Sequence, residues 1–113
     1  MIQTVAFIGL GAMGYRMASH LPKHFEHVWV WNRNFDKAKQ HAEAYGTQAV
    51  ELAQAVQADV VFSCLPTSQD IEDLLAQVEL KAGSIWVDCT SGVPSSAKKV
   101  AELLKQQGVD FLD

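Results

Sequence analysis

Gly9-Leu10-Gly11-Ala12-Met13-Gly14 has the spacing G-x-G-x-x-G, and each glycine answers a different steric demand around a bound diphosphate. The first permits a tight turn, the second lets an anion approach the backbone, and the third lets a helix pack close to a strand. Unpaired amides at the start of that helix, together with its dipole, would then hold the negative charge. Alone the spacing is weak evidence. It gains weight because it directly follows the apolar run Thr4-Val5-Ala6-Phe7-Ile8 and opens a segment whose inward face could use Met13, Met17 and Leu21. The alternative is a strand-to-helix turn that merely tolerates glycine. The six residues of the motif are expected to bind the pyrophosphate of a dinucleotide.

Roughly twenty positions further on, an acidic residue would accept a hydrogen bond from the ribose 2′-hydroxyl of NAD. Here the chain reads Trp31-Asn32-Arg33-Asn34. A neutral amide followed by a guanidinium removes the repulsion of a carboxylate and supplies a planar fork suited to a 2′-phosphate. Asn32 and Arg33 therefore point to NADP rather than NAD, with a solvated surface arginine as the plain alternative. Asp36 lies past the strand and is read as a cap of the next helix.

Two further turns fall near the same edge. Cys64-Leu65-Pro66-Thr67 puts a proline where a strand leaves the sheet, so Leu65 and Pro66 could border a cofactor; a simple strand-to-helix exit accounts for them equally well. Thr90 and Ser91 bring two hydroxyls after another strand. They could meet a carboxamide or a substrate carboxylate, or only cap the helix that follows.

Other reactive types carry less. His20, His24, His27 and His41 have no metal spacing and no paired nucleophile, and are expected at the surface or half buried. Cys64 and Cys89 lie in apolar runs without a CxxC or zinc pattern and read as reduced core residues. Trp29, Trp31 and Trp86 sit in strands, as packing groups. No metal is expected.

The elements that must position these groups are legible as alternating strands and helices. The 113 residues suit one domain, and 49% of them are hydrophobic. Apolar runs at 4–8, 28–31, 59–65 and 84–88 are nearly continuous, which implies burial on both faces, as in a parallel sheet covered by helices. Weaker strands at 47–50 and 109–112 follow Gly46 and Gly108, which sit where helix C-caps belong. Ile71, Leu74, Leu75 and Val78, then Ala97, Val100, Ala101 and Leu104, fall at i, i+3, i+4 and i+7 as apolar stripes. Thr67-x-x-Asp70 has the form of a capping box, and Pro94 suits a first helical position. These features predict an α/β, doubly wound Rossmann sheet in the order 3-2-1-4-5-6, with helices on both faces and ligands off the carboxyl ends of the strands.

A net charge of −4 argues against bulk attraction to nucleic acid or an anionic membrane. There is no leader-like segment and no apolar stretch of bilayer length, so the expected compartment is the cytoplasm.

Taken together, the residues resemble the β-hydroxyacid dehydrogenase family, which includes 3-hydroxyisobutyrate dehydrogenase and the glyoxylate and succinic semialdehyde reductases. The resemblance covers the whole chain and rests on residues 9–14, Val30-Trp31-Asn32-Arg33, residues 58–66, and Asp88 through Pro94. It implies that Leu65 and Pro66 line the cofactor and that Ser91, where the family usually has threonine, contacts the nicotinamide side; Thr90 and Ser91 are the candidates for the substrate side. Gly92 departs from the family's branched aliphatic residue. The resemblance also implies a helical domain bearing a catalytic lysine beyond Asp113. Residues 1–113 are then the NADP-binding domain of an oxidoreductase acting on a small hydroxy acid or semialdehyde, with no catalytic residue of their own and no turnover in isolation. Exposed apolar surface at the carboxyl edge would favour a homo-oligomer. An imine reductase and a non-catalytic NADP-binding module of the same fold are the alternatives.

Overall fold

The computed structural model of the chain describes residues 2–89 and 94–112. Six parallel strands form one sheet: β1 (Thr4–Ile8), β2 (His27–Trp31), β3 (Gln48–Ala49), β4 (Val60–Ser63), β5 (Ile85–Asp88) and β6 (Asp110–Leu112). Their order is β3-β2-β1-β4-β5-β6, the doubly wound arrangement predicted from the sequence. The connecting helices are α1 (Ala12–Ser19), α2 (Phe35–Tyr45), α3 (Leu52–Ala55), α4 (Ser68–Leu75) and α5 (Pro94–Gln106). The short α3 had no periodic signal of its own.

Burial on both faces explains the continuous apolar runs. Along β1, Ala6 and Ile8 join a cluster with Val61, Trp86, Ile71, Val100 and Leu104, on the side of α4 and α5. Val5 and Phe7 point the other way, Phe7 toward Leu10, Ala18 and Ala38 beneath α1 and α2, and Val5 toward Val28 and Val60. Side chains alternate across the sheet, so a strand covered on both sides must be apolar at every position.

Helix ends follow local chemistry. The predicted capping box of α4 is present: the Asp70 N–H donates to Thr67 Oγ1, and Asp70 Oδ2 accepts from the Thr67 N–H. Gly46 ends α2 with φ +77°, in the left-handed region where only glycine is unstrained. Pro94 is the first residue of α5, as its fixed φ favours. The N-cap of α2 is Asn34, whose Oδ1 accepts from the Asp36 N–H. Asp36 therefore sits inside the first turn, where its charge faces the positive helix end, rather than capping.

Two expectations about packing are corrected. Met13 is 63% exposed, because the side of α1 facing the sheet is set by Leu10, Gly14 and Ala18 at i, i+4 and i+8; Met17 and Leu21 are half buried. Of the histidines, His41 is fully buried. Its Nε2 meets the Tyr15 carbonyl oxygen at 3.1 Å and its Nδ1 meets Thr47 Oγ1 at 2.8 Å. A carbonyl can only accept, so Nε2 carries the proton and Nδ1 accepts from the threonine hydroxyl. The ring stays neutral, and burial lowers its pKa from the usual 6.5 despite the opposing pull of the Tyr15 carbonyl.

Candidate cofactor site

At the carboxyl ends of β1, β2 and β4 the sheet opens into a cavity of about 670 Å³. It lies where the connection from β1 turns to one side of the sheet and that from β4 to the other, the switch point at which such sheets bind ligands. Its volume falls in the range of pockets that enclose most of a small molecule.

The first wall is the glycine turn between β1 and α1. Gly9 has φ +97°, its N–H donates to the Trp31 carbonyl at 2.9 Å, and a Cβ there would collide with the Cys64 carbonyl and lie 2.8 Å from Leu65 Cδ2. Gly14 is equally closed: a Cβ would run into the Gly9 carbonyl oxygen and come within 3.1 Å of Phe7 Cε1. Gly11 differs, since a Cβ there meets nothing within 4 Å, and the residue faces the cavity. So two glycines close the backbone against itself while the middle one leaves room for a ligand. Gly11 is also the N-cap of α1 and offers no side-chain cap, which leaves the first-turn amides of Ala12, Met13 and Gly14 without intrahelical acceptors.

The second wall is the end of β2. Asn32 lines the cavity, but its amide is already engaged: Oδ1 accepts from the Leu10 N–H at 2.8 Å, and Nδ2 donates to the Asn34 carbonyl at 3.0 Å. Asn32, expected as a ligand beside Arg33, thus braces the glycine turn through Oδ1 and the loop after β2 through Nδ2 while lining the cavity. Leu10 likewise spends its N–H on this brace and buries its side chain. The Arg33 guanidinium stands at the rim with 78% of its side chain exposed, 3.6 Å from Asp70 Oδ1.

The third wall runs from β4 to α4 and includes Cys64, Leu65, Pro66, Asp70 and Leu74. Both cysteines are free and half buried, Cys64 packing against the cluster of Phe7, Leu10 and Val30, and burial pushes each thiol pKa up, so neither is a ready nucleophile. Beneath this edge the Trp86 indole N–H donates to Ser63 Oγ at 2.8 Å, and that hydroxyl donates to Asp88 Oδ1 at 3.0 Å, which fixes the carboxylate at the end of β5. Thr90 and Ser91, expected on the substrate side, lie outside the described residues, as does Gly92.

The structure thus brings Gly9, Gly11, Ala12, Met13, Gly14, Asn32, Arg33, Leu65 and Pro66 to one cavity and places Leu10 just behind it. Sequence reasoning missed Trp31, Asn34, Cys64, Asp70 and Leu74 as lining residues. Asp70 was visible only as a helix cap, because its second role depends on a contact with a residue far away in sequence. The donor set suits a diphosphate at the turn. Among the described residues no group of three or more His, Cys, Asp or Glu could hold a metal, and no helix is long and apolar enough to cross a membrane.

Several known proteins are similar to this chain. 3-Hydroxyisobutyrate dehydrogenase of Pseudomonas aeruginosa is 36% identical over 96% of this chain and 39% of its own length. An NAD-dependent L-serine dehydrogenase of the same species is 34% identical over 99% of this chain and 40% of its own. Among solved structures, Mycobacterium tuberculosis 3-hydroxyisobutyrate dehydrogenase with L-serine superposes with TM-score 0.88 at 27% identity, covering 98% of this chain and 39% of that one. A reductive aminase from Aspergillus terreus in complex with NADPH gives 0.86 at 29% identity, covering 98% and 40%. The chain therefore spans about two fifths of the length of these relatives. Residues 4–113 match the family model for the NAD binding domain of 6-phosphogluconate dehydrogenase, and the chain belongs to that family of NAD(P)-binding domains, with its similarity extending to the matching part of 3-hydroxyisobutyrate dehydrogenases.

Proposed function

We propose that residues 1–113 are the dinucleotide-binding domain of an oxidoreductase that moves a hydride between NADP(H) and a small hydroxy acid or semialdehyde. When bound, the nicotinamide ring donates or takes the hydride; the protein supplies position and electrostatics. The uncapped amides of the first turn of α1 would receive the pyrophosphate over the open face of Gly11. Leu65 and Pro66 border the nucleoside next to it, and Ser91, with Thr90, faces the nicotinamide and the substrate.

Preference for NADP rests on one observation: a guanidinium, Arg33, stands at the rim after β2, and the side chain that ends the strand is a neutral amide held by the backbone. The NAD-dependent serine dehydrogenase shows that relatives with the other coenzyme exist, so selectivity depends on residues such as these rather than on the fold. The likeness to a reductive aminase makes an imine the second substrate class. The preference is tested by titrating the chain with NADPH and NADH, using fluorescence of its three tryptophans, one of which lines the cavity. Charge-assisted hydrogen bonds contribute about 1.5–3 kcal/mol each, so NADPH is expected to bind about ten- to a hundredfold tighter. Equal affinity, or tighter NADH, overturns the preference.

A further inference from the structure

We propose that Asp70 is a specificity-determining residue of this cavity: its carboxylate captures the Arg33 guanidinium and so weakens selection for a dinucleotide bearing a 2′-phosphate. The inference rests on the reading of Arg33 given above. Arg33 follows β2 and Asp70 is the third residue of α4, and the two meet along the rim of the cavity they both line, with Nη2 and Oδ1 3.6 Å apart.

The two oxygens of Asp70 face different partners. Oδ2 accepts from the Thr67 N–H and from Thr67 Oγ1, each at 3.0 Å, which fixes the carboxylate to the start of α4. Oδ1 is the oxygen paired with Arg33. Asp70 is only 23% exposed whereas Arg33 is 78% exposed, so the anion is the fixed member of the pair and the guanidinium the movable one. A 2′-phosphate must draw Arg33 away from this anion and tolerate the charge that remains. A 2′-hydroxyl asks neither. The pair thus acts against the phosphorylated coenzyme alone.

Asp70→Asn removes the charge and keeps a side-chain carbonyl to accept from the Thr67 N–H, so the helix cap survives; Asp70→Ser keeps a capping acceptor in a second form. Dissociation constants for NADPH and NADH are measured on the wild-type chain, on both variants, on Arg33→Ala, and on the Arg33→Ala/Asp70→Asn double variant. Exposed ion pairs have modest strength, so each Asp70 variant should bind NADPH about two- to fivefold tighter with NADH affinity unchanged. In the Arg33→Ala background the gain should shrink to what relief of direct charge repulsion alone supplies. Equal gains for both coenzymes, the same gain without Arg33, or no gain overturns the proposal. A wild-type chain that prefers NADPH while both Asp70 variants match it removes this inference and leaves the cofactor reading intact. A chain that binds NADPH no better than NADH removes the reading of Arg33 and this inference together.

Discussion

The backbone N–H of Leu10 donates to the side-chain Oδ1 of Asn32 at 2.8 Å, across 22 residues of sequence. This bond ties the glycine turn to the end of the neighbouring strand, and the Nδ2 of the same amide holds the start of the next loop through the Asn34 carbonyl. Asn32→Ala leaves the Leu10 N–H without its partner, which should cost about 1–3 kcal/mol of stability. Affinity for NADPH and NADH should fall together, because the turn that both coenzymes use is loosened. Arg33→Ala should instead weaken NADPH alone. Paired titrations and thermal melts separate the two, and an Asn32→Ala chain that loses only NADPH would assign Asn32 to the 2′-phosphate after all.

The glycines separate folding from binding. Gly11→Val should melt close to wild type, since its Cβ meets open space, yet abolish dinucleotide binding by filling that space. Gly14→Ala should do the reverse first: with the Gly9 carbonyl in its way, stability should drop on the order of 3 kcal/mol. A Gly11→Val chain that melts normally and still binds would move the phosphates elsewhere.

His41 sets a pH dependence. Its folded pKa lies below 6.5, so the unfolded chain takes up the proton first; stability is full above about 6.5 and falls as pH drops through that value toward the folded pKa. Besides Thr47 and the Tyr15 carbonyl, the rings of Tyr15 and Tyr45 face the imidazole, and among the described residues no acid is paired with it. Denaturant melts between about pH 7 and 5 should show the slope, and His41→Gln should flatten it. An unchanged slope would assign it to other groups.

Asp59 governs a lower range. Its carboxylate accepts from Lys81 Nζ at 2.6 Å and from the Gln3 and Thr4 N–H groups, joining the start of β1 to the turn before β5. Lys81, then the two amides, hold its pKa down from 3.8 to about 2. The stabilisation is present above about 3.8 and is lost as pH falls through about 2. Asp59→Asn should reduce the loss of stability across that interval, read by circular dichroism; an identical acid transition in the variant would count against the role.

Local chemistry made much of this protein legible in its sequence. The strand order follows from continuous apolar runs such as 4–8 and 59–65, because burial on both faces requires them and parallel strands need covered crossovers. The capping box of Thr67 and Asp70, the left-handed Gly46 and the spacing of residues 9–14 depend on neighbours a few positions away, so they can be read in order along the chain. What only tertiary structure decided involves partners distant in sequence. That Asn32 braces the Leu10 N–H as well as lining the cavity was not visible in the sequence. Met13 looked inward by spacing, but the small faces of Gly14 and Ala18 let α1 lie against the sheet and turned Met13 out. Burial of His41 needed α1, α2 and Thr47 to surround it, and Asp70 became part of the cavity only when α4 came beside the end of β2. A hydrogen bond or ion pair between separate elements depends on distances that the packed core sets, and sequence spacing carries no record of them.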